Sequence, residues 1–290
     1  LGGFLIFRLI RKQDLEYIFQ WLEPNDYLRS GVLERYVSEG KAYTVEIDGK
    51  PVAVGIIHVV GEEGAWLMGA RVMKEHRGHG VGSHLTQGLI EEASRSGLRW
   101  VALLTSVDNK PVHRICEKLS LQKRALISWM HMDKDKIYRL GEGGVYISVP
   151  STDRKAMDHI KRSIGNSNLM IPDSDNMWVW RPPSGEAIER MILASERLCL
   201  ARDGGFGVIA LIRFRRDRGT LQALVLETQK TMGSVNDIAG CIAYESVQDR
   251  FGEIELVVVE GPGQEQSVWE SIYQLAREKP WRAYVFYKEL

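Results

Sequence analysis

Residues 65–72 alternate like a strand, and behind them comes Met73-Lys74-Glu75-His76-Arg77-Gly78-His79-Gly80-Val81-Gly82-Ser83. The spacing then predicts a helix over 81–96, because Val81, Leu85, Leu89 and Ala93 fall on one face. A strand, a glycine-rich turn and a helix start together suit a pyrophosphate. Glycines let backbone N–H groups approach the phosphates closely, and the first helical turn leaves its N–H donors unpaired and partly positive. Arg77 adds a permanently charged fork. The Rossmann pattern, with its third glycine and a ribose-binding acid about 20 residues on, does not match here. Nor does the Walker pattern, which ends in Gly-Lys-Ser/Thr.

A second group of residues follows at Thr105-Ser106-Val107-Asp108-Asn109-Lys110-Pro111. Asn109 or Asp108 can cap a helix that Pro111 opens, and Val112, Ile115, Cys116 and Leu119 form its apolar stripe. Cys116 has two readings. As a thiol of reference pKa near 8.5 it can exchange a proton, and as a member of the stripe it fills space. For a general base the candidates are His58, on an apolar strand, and Glu63 beside Glu62 at a turn. Each also has a plain structural reading, as a core histidine and as a solvated carboxylate.

The first loop, read as Arg77-x-x-Gly80-x-Gly82 after Val72 and before Leu85, resembles the acetyl-CoA signature of the GNAT N-acetyltransferases. Lys74 stands where that family usually has proline. The resemblance implies that Arg77, Gly78, His79, Gly80, Val81, Gly82 and Ser83 hold the pyrophosphate of acetyl-CoA. It also implies that backbone at Arg71 and Val72 pairs with the pantetheine arm, and that Asn109 contacts that arm. The family's proton-donating tyrosine falls at Cys116. Ser120-Leu121 replaces the family's Gly-Phe. Trp66-Leu67-Met68-Gly69 before Arg71-Val72 is similar to two-domain acetyltransferases acting on free amino acids.

The elements that must position these residues follow from periodicity and turn signals. The first half predicts a strand at 4–10, helices at 14–22 and 27–38, strands at 42–47 and 52–60 joined by Asp48-Gly49, and a strand at 65–72. After the loop and its helix come a strand at 100–105, a helix at 111–119 and a strand at 125–132. This β-α-α-β-β-β-α-β-α-β order is the one the GNAT fold uses. The second half repeats it: strands at 144–149, 198–202, 207–215, 221–227, 254–259 and 281–287, with helices at 153–164, 186–196, 235–248 and 266–278. Its loop, Thr228 to Ser234, keeps only Gly233 and has no arginine fork. The expected fold is thus α/β with a mixed central sheet: a GNAT domain over 1–140 that binds acetyl-CoA, and a degenerate GNAT-like domain over 141–290 that does not.

Composition bounds the partners. The 290 residues carry 38 basic and 38 acidic side chains, a net charge of zero, which gives no electrostatic case for nucleic acid or an anionic membrane. The apolar runs are strand-length rather than membrane-spanning. The apolar first ten residues read as a strand rather than a signal peptide. Cys116, Cys199 and Cys241 lack metal-ligand spacing, so no metal is expected and the thiols read as core residues of a cytoplasmic protein. The expected activity is transfer of an acetyl group from acetyl-CoA to a primary amine, a small molecule or amino acid, by direct attack. The alternatives are a non-catalytic acyl-CoA-binding module and a protein or peptide N-acetyltransferase.

Overall fold

The computed structural model describes residues 4–140, 146–165, 167, 169–174, 176–201, 208–215, 220–227, 234–248, 251, 253–261, 273 and 276–290. In chain order the strands are β1 Ile6–Leu9, β2 Ala42–Ile47, β3 Lys50–Val60, β4 Gly64–Val72, β5 Trp100–Ser106, β6 Gln122–Met132, β7 Tyr146–Pro150, β8 Ile171–Pro172, β9 Trp180–Arg181, β10 Arg197–Ala201, β11 Val208–Arg215, β12 Thr220–Glu227, β13 Glu253–Glu260 and β14 Trp281–Glu289. The helices are α1 Asp14–Trp21, α2 Val32–Ser38, α3 Val81–Arg95, α4 Lys110–Lys118, α5 Lys134–Leu140, α6 Arg154–Gly165, α7 Gly185–Leu193 and α8 Ser234–Gln248. The chain forms two compact units. One comprises Leu1–Leu104, Asn109–Gln122 and Phe286–Leu290, and the other Thr105–Asp108 and Lys123–Val285.

In the first unit the strands run β1-β2-β3-β4-β5-β14, antiparallel as far as β4, with β4 and β5 parallel. Alternation decides what covers each face of β3. Val54 and Ile56 enter a core with Ile18, Leu28, Leu33 and Tyr36 from the α1–α2 segment. Gly55 turns to the other face, where a Cβ would lie 2.8 Å from Leu89 Cδ1, so α3 packs directly on the strand. The hairpin at Asp48-Gly49 has φ of 49° and 78°, as its type of turn requires. The helix expected over 27–38 is corrected. Asp26 accepts the Leu28 N–H and starts a short 3-10 turn, Tyr27–Arg29, and Gly31 at φ 84° breaks the helix before α2 begins.

Residues 286–290 complete this unit. Tyr287 packs on Trp100 with ring centroids 6.1 Å apart, and Phe286 on His113 at 5.4 Å. The Leu290 N–H donates to the Arg99 carbonyl at 2.9 Å, and Lys288 Nζ donates to the Leu119 carbonyl at 2.9 Å.

The second unit runs β14-β6-β13-β12-β11-β10-β7, with β12 and β13 parallel. Met130, Met132, Ile212, Leu221, Ala223, Ile254 and Leu256 point to one face and form a core with Ile137 of α5 and Ile238, Cys241 and Ile242 of α8. Helix α5 was not expected from the sequence, although Asp133 Oδ1 caps it by accepting from the Asp135 and Lys136 N–H groups. A Trp- and Pro-containing stretch near 176–183 supplies β9, which pairs with β8. The reading of three lone thiols is also corrected. Cys199 and Cys241 are disulfide-bonded across Cα atoms 6.2 Å apart, and Cys116 alone is free. The degenerate loop with Gly233 and most of the expected helix 266–278 lie outside the described residues. Among the described residues no helix is long and apolar enough to cross a membrane.

Candidate active site

The site is built on the C-terminal half of β4. Strands β4 and β5 pair only at Gly64↔Trp100, Ala65↔Val101 and Trp66↔Ala102. Beyond Trp66 they part, and among the described residues the edge of β4 facing β5 has no strand partner. The divergence coincides with a bulge. Val54 pairs with Arg71 but Ile56 pairs with Met68, so β4 carries one extra residue opposite Gly55. Gly69 makes the bulge possible, at φ 66° and with a Cβ position only 3.0 Å from Leu28 Cδ2 and 3.2 Å from Ile56 Cδ1.

A clamp holds the bulge. Asp26, 5 % exposed, accepts from Arg71 Nε at 2.6 Å, and the Arg71 guanidinium lies 5.5 Å from the centre of the Tyr27 ring. Burial pushes the Tyr27 hydroxyl above its ordinary pKa, against the opposing pull of Arg71 and of a hydrogen bond to the Gly69 backbone. The Arg71 side chain is thus committed to Asp26. What its position offers to the parted strands is backbone.

Downstream, the turn Lys74–His76 leads to Arg77, whose Nε donates to the Val72 carbonyl at 2.9 Å and ties the loop to the strand end. Gly78 and Gly80 have φ of 77° and 82°, with open space where a Cβ would be. Helix α3 then starts at Val81 without a side-chain cap. Its first intrahelical bond runs from the His84 N–H to the Gly80 carbonyl at 3.0 Å. The amides of Val81, Gly82 and Ser83 therefore have no partner within the helix and face an exposed loop, a cradle that fits an anionic pyrophosphate. Gly82 lets this start sit close to α4, since a Cβ there would lie 3.3 Å from Ile115 Cδ1. His79 is exposed. His76 is half-buried, and its Nδ1 has no hydrogen-bond partner among the described residues.

Helix α4 carries the other candidates. Asn109 is its half-buried N-cap. Cys116 is fully buried, and that burial pushes its thiol up to about 12. The structure thus brings together Arg71, Val72, the residues from Arg77 to Ser83, and the helix bearing Asn109 and Cys116. It does not bring the two candidate bases to the same place. His58, half-buried, pairs across β3–β4 with Trp66, and its Nδ1 lies 2.7 Å from Tyr36 Oη. Three strand residues, roughly 10 Å, separate that level from Gly69. Glu63 is exposed and paired with Arg99 at 2.9 Å; it stands roughly 20 Å from the bulge along the strand. Asp26 is the residue beside the bulge that the sequence did not reveal, because nothing local marks a carboxylate whose partner is 45 positions away. Among the described residues no group of three or more His, Cys, Asp or Glu side chains is placed to hold a metal ion.

Known proteins resemble this chain in sequence over its first part and in fold. Residues 7–120 match the Acetyltransferase (GNAT) family. A GCN5-related N-acetyltransferase from Sphaerobacter thermophilus is 17% identical and superposes over 98% of this chain and 95% of its own, with a TM-score of 0.55. A protein from Thermoplasma acidophilum with a proposed acetyltransferase assignment is 15% identical over 98% of this chain and 91% of its own, with a TM-score of 0.51. At such identities the two structures establish likeness of fold. The parted strands, the bulge and the open helix start all fall inside residues 7–120, the part of this chain that matches the GNAT acetyltransferase family.

Proposed function

We propose that the first unit transfers an acetyl group from acetyl-CoA to the primary amine of a small molecule or amino acid, by direct attack on the thioester. The observation that carries this reading is the continuity of the parted β4–β5 edge with the uncapped start of α3. In this reading the amides of Val81, Gly82 and Ser83 and the Arg77 guanidinium hold the pyrophosphate. The free edge of β4 at Arg71 and Val72 pairs with the amide-bearing arm, and the bulge at Gly69 brings backbone to the acetyl group. Holding the thioester beside the amine in one geometry supplies much of the rate by itself. The Asp26–Arg71–Tyr27 clamp keeps that backbone from moving.

Proton handling follows from the same geometry. A thiol held near 12 is a weaker acid than an ordinary thiol, so Cys116 is poorly matched to protonating the departing thiolate, and packing is the role that its burial supports. Of the two candidate bases, His58 is supported over Glu63 by its shorter distance from the bulge and its Tyr36 partner. The second unit is proposed not to bind CoA.

The test is thiol release from acetyl-CoA across amino acids, polyamines, aminoglycosides and short peptides, with wild type and Cys116→Ala side by side. Turnover with a small amine supports the reading. Turnover confined to peptides would replace it with peptide N-acetylation. Acetyl-CoA binding without turnover on any amine would leave an acyl-CoA-binding module.

A further inference from the structure

Four adjacent strands of the second unit each place one polar residue at the same level of the sheet. The register pairs Arg213 of β11 with Gln222 of β12, Gln222 with Glu255 of β13, and Glu255 with His131 of β6. Gln222, Glu255 and His131 are each flanked in sequence by members of the apolar core: Leu221 and Ala223, Ile254 and Leu256, Met130 and Met132. Period-two alternation therefore turns the polar row to the face opposite α5 and α8. That face is not plain solvent. It forms part of a cavity of about 590 Å³, within the size range of small-molecule sites.

The cavity has aromatic walls and an acceptor floor. The Trp129 and Trp178 rings stack with centroids 4.6 Å apart, and Trp281 meets Trp178 edge-on at 5.5 Å. Trp178 is 51% exposed and Trp281 41%, an unusual outlay of large aromatic surface at one mouth. Below them, Glu255 accepts from Trp129 Nε1 and from Gln222 Nε2, each at 2.6 Å. A carboxylate of this kind only accepts, so the Gln222 amide must turn its NH₂ group to Glu255. Its oxygen is left over. Gln222 is only 4% exposed, and its Oε1 has no hydrogen-bond partner among the described residues. A buried acceptor without a donor, next to a fixed negative charge and under tryptophan faces, asks for a cationic donor on an apolar body. Arg213, at the β11 end of the row, disfavours a cation there and sets the ammonium on the Glu255 side.

The geometry points to a binding site in the second unit for a ligand that carries a primary ammonium group on an apolar or aromatic body. Gln222 Oε1 and Glu255 receive the ammonium, and Trp178 and Trp281 cover the body. The site uses no residue of the proposed transfer machinery. It can be tested without acetyl-CoA, so it stands or falls separately from that reading.

The experiment is a titration of the full chain, followed by tryptophan fluorescence and calorimetry, with three probes of one shape: phenethylamine, neutral phenylethanol and anionic phenylpropionate. The amine is expected to bind about tenfold more tightly than the alcohol, and the anion more weakly still. Glu255→Gln is expected to abolish the preference for charge, with the fold checked by circular dichroism. Trp178→Ala, at a half-exposed position that the fold tolerates, is expected to weaken the amine about tenfold. Equal affinity for amine and alcohol, or no saturable amine binding, would overturn the assignment. So would a charge preference that survives Glu255→Gln, since the amine would then be bound elsewhere.

Discussion

Gly69 and Gly80 offer a controlled comparison of what the bulge in β4 requires. Both have left-handed backbone, at φ 66° and 82°. An alanine at either position carries the left-handed penalty of roughly 1–2 kcal/mol. They differ in what surrounds them. At Gly80 nothing lies within 4 Å of the new methyl group, so Gly80→Ala should cost no more than that penalty. At Gly69 the methyl meets Leu28 Cδ2 at 3.0 Å and Ile56 Cδ1 at 3.2 Å, both held in a closed core. Overpacking of this kind adds about 1–3 kcal/mol, so Gly69→Ala should cost about 2–5 kcal/mol in all. Urea unfolding reads the difference. With a slope of about 2 kcal/mol/M, the two alanine variants should differ in midpoint by roughly 0.5–1.5 M at equal slope. Turnover should separate them as well. Gly69→Ala shifts the backbone at the parted strands and is expected to lower kcat while acetyl-CoA still binds. Gly80→Ala acts at the helix start and is expected to raise KM for acetyl-CoA. Equal stability losses would refute the crowding argument, and an unchanged kcat in folded Gly69→Ala would refute the bulge's part in transfer.

Cys116→Ala should keep turnover within about threefold and lose about 1 kcal/mol of stability, the scale of one small buried apolar group; a collapse of kcat in a folded variant would contradict the packing role. The native thiol is held near 12 against 9.0 unperturbed, so its contribution to stability is complete below about pH 9 and is lost as the pH rises toward 12. Stability of wild type relative to Cys116→Ala should therefore decline across that window and nowhere below it. Denatured without reductant, the chain should take one thiol label, and with reductant three; three labels in both conditions would remove the Cys199–Cys241 bond. Phe286→Ala, at a site 1% exposed against His113, should cost about 3–5 kcal/mol and lower the stability of the first unit, read as a lost protection of that unit's amides in hydrogen exchange.

What the sequence revealed depended on how local each signal was. The α3 loop was legible as a loop and helix start because its glycines, its arginine and the helix behind them are contiguous. The hairpin at Asp48-Gly49 was legible for the same reason. The bulge was not, since Gly69 is required by Leu28 and Ile56, which only the folded sheet brings near. Asp26 looked like any turn residue until Arg71 arrived beside it. Helix 27–38 was read too long because its apolar spacing continued across Gly31, where a left-handed residue ends the run. Cys199 and Cys241 gave no spacing signal because a strand and a helix bring them together across the core. The polar row at Arg213, Gln222, Glu255 and His131 lies on four separate strands, and only the strand order aligns it.

The closing of the first unit by residues 286–290 has a consequence for how the protein is made. When Gln122 has been synthesised, every other part of that unit exists, yet β5 still lacks its β14 neighbour. Residues 123–285 must be translated first, which at about 5–20 residues per second takes roughly 10–30 s. Throughout that interval the nascent chain presents an unpaired strand edge beside Trp100, the kind of edge that recruits other chains. A chain stopped after Gln122 contains the whole Arg77–Ser83 loop and still lacks the strand beside β5, so the first unit is finished only when residues 286–290 arrive.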